Sequence, residues 1–436
     1  MREFRFLAAA AVVLASIPRP ADAGGFSNPD FGIRRMGMFA VTARADDPTA
    51  IYHNPACLTL LDGTHIYHAE TWLFLELGIK VFDSKGQLQP KDGELGPSWS
   101  IGAIPFLGVT SDLGTKKLRV GLAAYAPNAY GAWMSDTAPT RYQVTKALFL
   151  APRATASLAY KFDEKFSLGA SINLIYVYMG MNQLFNPSIV GPNAPRPDDR
   201  FLPASQTASG DFKVNLSGQA WTWAYDLGVM FHPVESLRIG AAFAGGSPIH
   251  LTGKVKVQYP NAGKVETANQ TTDMTIPFEL RFGFNWQFVK DFEVGADVYW
   301  WHYQVLQEQR TVLSHALANG LMGPVMESAK NNSNSFAWNI GLMYHILPTL
   351  ELMAGWQMDF TPTPTATYSL TSPSGDQMGV GMGARWQVSK HVRIGLALIH
   401  NWFQLINVQD NIGQPPANGK GHGGNTEVGF DIDWKL

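Results

Sequence analysis

The chain has 436 residues, of which only 16% are charged, whereas aromatic residues make up 12% and glycine occurs 42 times. Soluble domains usually carry about 25% charged residues, and a mean hydropathy close to zero is too polar for a bundle of membrane helices. The net charge of −2 provides no basic excess to neutralise phosphates, which argues against a nucleic-acid partner. This composition is typical of strands with one apolar and one polar face.

The first residues have the pattern of a secretory signal peptide. Arg2 and Arg5 provide the positive start, residues 6–17 form an apolar run, and a small-x-small cleavage site ends at Ala23. A membrane anchor is the alternative, but the run is shorter than the roughly 20 residues that a spanning helix needs. We therefore expect residues 1–23 to be cleaved and the mature chain to be exported.

Residues 24–63 do not alternate between apolar and polar side chains, and they contain several proline turns. So irregular a segment cannot span lipid, because its backbone groups would lack hydrogen-bond partners there. A wide barrel has a lumen that leaks unless it is filled. If the rest of the chain forms such a barrel, we expect residues 24–63 to form a plug, or hatch, inside it.

From residue 64 onward the dominant pattern has a period of two. In residues 278–288, every even position is apolar and every odd position is polar or glycine, so one face suits lipid and the other a lumen. Strands of a soluble sandwich would explain one such segment, but they keep large aromatics inward and are shorter than the roughly 10 residues of a tilted spanning strand. The sequence therefore predicts an all-β protein, a transmembrane antiparallel β-barrel of about 14 strands over residues 64–436, in the outer membrane of a Gram-negative bacterium.

Short polar turns alternate with long connections along this region, as in barrels with short periplasmic and long extracellular loops. The long connections are expected at residues 181–218, 254–275, 307–335, 361–375 and 409–424.

Several predicted inward positions are apolar. They are Ile175, Val177, Met179, Met230, Met343, Met353 and Ile399. Methionine and aliphatic side chains suit an apolar pocket that accepts varied shapes, although packing against the hatch is a second explanation. Ile175, Val177 and Met179 are the ligand-pocket candidates.

The third predicted strand is interrupted by Pro127 and Gly131. Proline cannot donate a hydrogen bond to the neighbouring strand, and glycine weakens a strand, so we expect a kink or bulge there.

The N-terminal segment carries three short motifs in a fixed order: Gly25-Phe26, Ala45-Asp46-Asp47 and Asn54-Pro55-Ala56. Behind a signal peptide and ahead of a barrel, this order resembles the hatch of the FadL/TodX family of outer-membrane transporters for long-chain fatty acids and hydrocarbons. The resemblance implies that these residues form the hatch, and that Phe26 contacts the ligand. Taken alone, Asn54-Pro55 would be an ordinary turn, and Asp46-Asp47 would cap a helix or lie in a solvated loop.

The resemblance also implies a role for the kink at Pro127, Asn128, Tyr130 and Gly131. In the family, the kinked third strand opens a lateral gap in the barrel wall, and the hatch lies against it. The implied function is passive uptake, in which a hydrophobic compound enters the barrel and leaves sideways into the bilayer. Transfer of apolar surface into lipid is downhill and needs no energy source.

The chain departs from fatty-acid members of the family at two positions. Their basic residues, which hold a carboxylate, are replaced here by Gln183 and Gln307, and Arg310 is the nearest substitute in sequence. Because a buried carboxylate without a cation is costly, these two pocket candidates favour a neutral hydrophobic ligand.

Other functions are less well supported. A general porin needs an open, charged constriction, and an adhesin or structural barrel would use the long loops. An enzyme is not expected, because His250, His302 and His400 have no convincing Ser or Asp partner in the sequence.

No metal or cofactor is expected. The expected partners are a hydrophobic ligand, outer-membrane lipid and the barrel-assembly machinery, and the protein is expected to be a monomer.

Overall fold

The computed structural model describes residues 29–81, 94–95, 100–138, 141–187, 210–260, 263–371, 374–413 and 418–436. The predicted cleavage site after Ala23 and the predicted ligand contact Phe26 lie outside these residues.

The described residues form one closed antiparallel sheet of fourteen strands with a few extra short segments, which confirms the predicted fold. The strands are β1 (Thr64–Val81), β2 (Ser100–Ser111), β3 (Leu118–Tyr125 and Ala129–Trp133), β4 (Lys146–Leu150 and Arg153–Lys161), β5 (Phe166–Phe185), β6 (Phe212–Val234), β7 (Leu237–Ala244 and Ser247–Gln258), β8 (Val265–Ile276 and Glu279–Val289), β9 (Phe292–Trp301 and Glu308–Leu313), β10 (Val325–Ala329 and Ser335–Leu347), β11 (Leu350–Asp359), β12 (Gln377–Ser389), β13 (Val392–Val408) and β14 (Gly419–Lys435). A short strand, Glu94–Leu95, pairs with β1. The barrel closes between β1 and β14, from His65 opposite Lys435 to Val81 opposite Gly419.

The predicted faces agree with the burial of the side chains. On β8, Phe282, Phe284 and Trp286 are exposed on the outer surface, whereas Arg281 and Asn285 point inward and are buried. An outer face of this kind belongs in lipid, where apolar side chains need no water.

The strands extend farther than predicted. The predicted connection at 254–275 is largely strand, and the one at 181–218 begins and ends in strand, because β5 reaches Phe185 and β6 begins at Phe212. In this upper part the pattern is reversed: on β7, Lys254 and Lys256 are exposed, while Val255 and Val257 are buried inside. We attribute the reversal to strands that rise above the bilayer, where the outer face meets water and the inner face is apolar.

The N-terminal segment, residues 29–63, is almost entirely buried. It contains helix α1 (Ile33–Met38), helix α2 (Ala50–His53) and a 3-10 helix (Pro55–Leu60). Further 3-10 turns lie in the barrel connections, at Tyr303–Val305, Ala318–Gly320 and Thr365–Thr367. Within the described part of the chain, no helix is both long and apolar enough to cross a membrane.

Glycines on the inner wall make room for this segment. A Cβ atom on Gly169 of β5 would overlap the backbone of the 3-10 helix at Pro55, and one on Gly240 of β7 would overlap the backbone at Thr42. A Cβ atom on Gly341 of β10 would meet the backbone of Met38 in the same way. Residues 29–63 therefore lie against the inward faces of strands on several sides of the barrel.

Candidate functional site

Asn54 holds two turns of the N-terminal segment to the barrel wall. Its Nδ2 donates to the carbonyl oxygens of Thr42 at 2.7 Å and of Val229, on β6, at 3.0 Å. Its Oδ1 accepts from the backbone amide of Ala56 at 3.0 Å, which caps the 3-10 helix. Pro55 is the first residue of that helix, where its missing N–H leaves no hydrogen bond unmade. The Asn-Pro-Ala order thus has a local structural cause as well as a contact with the wall.

Asp46 and Asp47 have different environments. Asp46 lies among three guanidinium groups, with Arg385 of β12 at 2.6 Å and Arg34 and Arg44 each at 3.2 Å. Burial raises the pKa of Asp46, but these three arginines outweigh burial and hold its pKa well below the usual range. Asp46 is therefore an ionised tether between the N-terminal segment and the wall.

Asp47 acts locally. Its Oδ1 accepts from the backbone amide of Thr49 at 2.9 Å and from the Thr49 hydroxyl, which shapes the turn before α2. Burial raises the pKa of Asp47 above its usual value.

A further ion-pair network secures the same side of the segment. Glu293, on the inner face of β9, pairs with both Arg34 and Arg44, and Glu351 of β11 pairs with Arg385 at 2.6 Å. The charges of this network are thus paired with one another, and Glu293 pairs with Arg34 and Arg44 across the boundary between segment and wall.

An aromatic cluster, which sequence reasoning missed, joins the N-terminal segment to β2 and β3. Phe31 stacks on Phe106 of β2 with a centroid separation of 5.1 Å, and Phe106 stacks on Tyr125 of β3 at 5.2 Å. Tyr52 of α2 meets Phe31 edge-on at 5.1 Å. The inward positions of Phe106 and Tyr125 could have been inferred from the strand alternation, whereas their contact with Phe31 could not.

The predicted kink in β3 coincides with a loss of pairing in the wall. β2 and β3 are paired from Ser111 opposite Val120 to Phe106 opposite Tyr125, and no pairing is described beyond that point. Pro127 separates the two segments of β3, and the second segment pairs only with β4. β2 continues to Ser100 paired with β1 alone. We call the unpaired stretch between residues 100–105 and 126–133 the wall gap.

Asn128 fixes the geometry at the kink. Its Oδ1 accepts from Arg153 Nη2 at 2.7 Å, and its carbonyl accepts from the amide of Ala151 at 2.9 Å. Gly131 faces the indole ring of Trp133, which a Cβ atom would approach to 3.0 Å.

The three pocket candidates on β5 belong to one buried apolar cluster inside the barrel, which we call the inner cluster. Its members include Phe149, Ile175, Val177, Met179, Val214, Leu216, Ile249, Leu251, Val255, Val257, Ile276, Leu313 and Leu317. Tyr130 of the kink packs against this cluster and stacks on Phe149 at 5.6 Å. The structure therefore places the kink and the candidate pocket side by side.

The two glutamines lie apart from each other. Gln183 is half-buried on β5 opposite Val214. Gln307 is exposed, and its amide donates to the carbonyl oxygens of Gln304 at 2.8 Å and Asn332 at 2.9 Å. Arg310 pairs with Glu327 at 3.2 Å on the surface.

One basic side chain that the sequence did not single out lies beside the inner cluster. Arg153 is buried on the inner face of β4, opposite Ile175 of β5 and Tyr125 of β3. Its Nε has no hydrogen-bond partner, and among the described residues the carboxylate of Asp226 on β6 interacts with its charge without forming an ion pair.

The prediction that the strand histidines lack an acidic partner is wrong for His250. Its Nδ1 lies 2.5 Å from Asp273 Oδ1, because the antiparallel register of β7 and β8 places the two residues opposite each other. His302 and His400 contact Asn334 and Thr426 instead. In the described part of the chain, no group of three or more His, Cys, Asp or Glu side chains is placed to hold a metal ion.

Three solved structures with the same architecture are distant from this chain in sequence. A FadL homologue of Pseudomonas aeruginosa superposes with a TM-score of 0.79 at 17% identity, over 94% of this chain and 100% of that one. The Pseudomonas putida toluene transporter TodX gives 0.68 at 16% identity, over 96% and 99% of the two chains. The Ralstonia pickettii toluene transporter TbuX gives 0.66 at 16% identity, over 95% and 99%. At these identities the likeness establishes the fold.

Membership is settled by the sequence itself. No functionally curated protein matches the chain. A family model for outer membrane transport proteins (OMPP1/FadL/TodX) matches residues 13–428, nearly the whole length. The chain therefore belongs to the OMPP1/FadL/TodX family of outer membrane transport proteins.

Proposed function

We propose that this protein takes up hydrophobic compounds passively, and that they leave the barrel sideways through the wall gap into the bilayer. Family membership supports transport across the outer membrane, and two structures with the same fold are toluene transporters. The inner cluster supports an apolar ligand, because an aqueous channel gains nothing from a wall of buried aliphatic side chains.

The observation that carries the proposal is the position of the wall gap. It begins at the Phe106–Tyr125 pair, which the N-terminal segment covers through Phe31, and it is bordered by Tyr130, which packs against the inner cluster. On the proposed route, apolar surface would pass from the inner cluster beside Tyr130 into lipid without entering water. Exposure to water instead would cost roughly 25 cal/mol per Å².

The test is uptake of a labelled long-chain fatty acid and, separately, of labelled toluene by cells that lack other such transporters. The variant Pro127→Val/Gly131→Val restores strand-forming residues on β3 and favours continued pairing with β2. We expect it to assemble and to lose most uptake. The matched control is Pro277→Val, which changes the break in β8 on another part of the wall and should keep its uptake.

Loss of uptake in both variants would point to a general assembly defect, which heat-modified mobility of the folded barrel would reveal. Normal uptake by an assembled Pro127→Val/Gly131→Val variant would contradict exit through the gap. Absence of hydrophobic uptake together with free passage of small sugars would favour a porin. Normal growth and permeability without the protein, but loss of cell adhesion, would favour an adhesin.

A carboxylate-bearing ligand is the second candidate, and Arg153 favours it. A buried guanidinium whose nearest carboxylate, that of Asp226, forms no ion pair with it would gain from the anion of a ligand. The neutral side chains of Gln183 and Gln307, in contrast, favour a ligand without a charge. The variant Arg153→Gln separates the two: loss of fatty-acid uptake with retention of toluene uptake would assign the carboxylate to Arg153, and unchanged uptake of both would leave the neutral ligand as the better choice.

A further inference from the structure

The wall is interrupted a second time, between β6 and β7. Main-chain pairing runs from Val234 to Asp226 on β6, ends with a hydrogen bond from the Gly245 amide to the Tyr225 carbonyl at 2.9 Å, and resumes at Gln219 opposite Thr252. Over residues 220–224 and 246–251 no main-chain pairing between the two strands is described, and side chains bridge them instead. Ser247 Oγ donates to the Trp223 carbonyl at 2.8 Å, and Thr222 Oγ1 donates to the Pro248 carbonyl at 2.9 Å.

A groove with a volume of about 730 Å³ lies over this interruption on the outer face of the barrel. Ala220, Ile249 and Met274 line it, and all three also belong to the inner cluster or pack against it. The groove and the inner cluster are thus separated by one layer of side chains, at a place where the backbone ladder is absent.

The outer end of the groove has an acidic edge. His250 and Asp273 face each other there at 2.5 Å, and Glu308 of β9 lies alongside. Arg310 lies opposite Asp273 in the register of β8 and β9, and its guanidinium is paired with Glu327 at 3.2 Å, so the carboxylates of this edge outnumber its guanidinium. Two carboxylates at this edge repel an anionic head group, but they accept hydrogen bonds from a neutral donor.

The groove lies at the level where lipid gives way to water. The outward side chains of β6 change along the strand from Leu227 and Val229 through Tyr225, Trp223 and Trp221 to Gln219. Rings of Trp and Tyr mark the membrane interface in barrels. An apolar body on Trp221, Val305 and Leu306 would therefore place its polar end at the acidic edge.

We propose that this groove is a second ligand site, on the outer face, for an uncharged hydrophobic compound that carries a hydroxyl group. The apolar lining holds the body of the ligand, and Asp273 or Glu308 accepts a hydrogen bond from its hydroxyl. This proposal can be tested independently of the proposed uptake, because ligand binding to the groove is measured on the purified protein, where no transport takes place.

The test uses Thr252→Cys, since Thr252 lines the groove and is exposed. The native Cys57 is buried, and burial raises the pKa of its thiol to about 12, so it contributes no background to maleimide labelling. The labelling rate is measured in lipid nanodiscs with dodecanol, with dodecanoate and without ligand. Thr267→Cys is the matched control, because Thr267 is exposed on β8 outside the groove.

We expect dodecanol at about ten times its Kd to slow labelling of Thr252→Cys about tenfold, because only the unoccupied fraction reacts. Labelling of Thr267→Cys should not change. Dodecanoate should protect at least about threefold less, because its charge meets Asp273 and Glu308. Adding Asp273→Asn to Thr252→Cys should narrow the difference between the two compounds.

Three results would overturn the proposal. The first is no protection by dodecanol at saturation. The second is equal protection by dodecanol and dodecanoate, since the acidic edge would then have no selective role. The third is slow labelling of Thr252→Cys in nanodiscs without ligand but fast labelling in detergent, which would assign the groove to membrane lipid.

Discussion

The rings of Phe31 and Phe106 stack at 5.1 Å with an interplanar angle of 29°. Phe31 belongs to the N-terminal segment, and Phe106 belongs to the last cross-strand pair of β2 and β3 before the wall gap. A displacement of the segment at Phe31 therefore uncovers the edge of the gap. This contact joins the N-terminal segment to the residues that border the wall gap.

Removing the Phe31 ring should loosen the N-terminal segment while the barrel stays folded. A buried Phe→Ala change costs about 3–5 kcal/mol, and here most of that cost falls on the segment. The measurement is maleimide labelling of Cys57, the one cysteine of the chain, which is buried in the same aromatic and aliphatic core. Phe31→Ala should accelerate labelling severalfold, whereas Phe31→Leu, which keeps most of the apolar volume, should have a small effect. Identical labelling of wild type and Phe31→Ala would mean that this stacking does not hold the segment.

The charge of Asp46 should stabilise the packing of the segment. Asp46→Asn removes the anion that Arg34 and Arg385 share, while Glu293 and Glu351 still pair with them, so we expect a cost below the about 3–5 kcal/mol of a buried ion pair that loses its only partner. Labelling of Cys57 should accelerate accordingly at pH 7. Asp47→Asn is the control, because an amide oxygen can still accept the bond from Thr49 and the loss is limited to one long contact with Arg385 at 3.8 Å, so we expect a change of about 1 kcal/mol.

The contribution of Asp46 has a defined pH dependence. Its pKa in the folded protein is depressed below the ordinary value of 3.8. A depressed acid contributes its full stability above the ordinary pKa, and this contribution is lost as the pH falls toward the folded pKa. The difference in unfolding free energy between wild type and Asp46→Asn should therefore be constant from neutral pH down to about pH 5 and shrink below about pH 4. A difference that vanishes already near pH 6 would contradict the assignment to Asp46.

The contact of the Asn54-Pro55-Ala56 turn with β5 should depend on the absence of a side chain at Gly169. A Cβ atom there overlaps the backbone of Pro55 and Ala56, so Gly169→Ala must displace the turn at a cost of about 1–3 kcal/mol. We expect a folded barrel with higher single-channel conductance for small ions. Gly102→Ala is the control, because its Cβ would lie at an ordinary 3.6 Å from the Leu73 side chain. Equal conductance of both variants would show that the turn does not limit the aqueous path.

Movement of the N-terminal segment can be tested with a disulfide cross-link to the barrel wall that can be reduced. A Cβ atom on Gly295 of β9 would lie 3.0 Å from the Cβ of Ala40, and disulfides need about 3.8 Å, so Ala40→Cys/Gly295→Cys should cross-link after a small shift. If uptake requires the segment to move away from the wall, the oxidised variant should take up little ligand, and reduction should restore uptake. Each single cysteine variant serves as its control. Undiminished uptake by the oxidised protein would show that ligands pass a stationary segment.

Much of the fold follows from the sequence because a β-strand has only two faces. Alternation alone separates Phe282 and Phe284, on the outer surface, from Arg281, on the inner surface. The break at Pro127 is equally local, because proline removes a hydrogen-bond donor wherever it stands. The predicted ends of the strands were wrong in the upper part of the barrel, where the outer face becomes polar and the inner face becomes apolar, as at Lys254 and Val255.

What meets inside the barrel was decided by tertiary structure. Asp46 and Arg385 are 339 residues apart in the chain, and only the closure of the barrel brings β12 to the N-terminal segment. The same closure distinguishes Asp46, which lies among three arginines, from Asp47, which shapes a turn and lies 3.8 Å from Arg385 alone. The partner of His250 depends on the register of β7 against β8, which places Asp273 opposite it. Sequence by itself determined which face of the sheet each side chain occupies, because the face depends on the backbone of one strand. Which inward side chains touch one another was decided by the tertiary structure, because these contacts depend on the register, closure and curvature of the whole sheet.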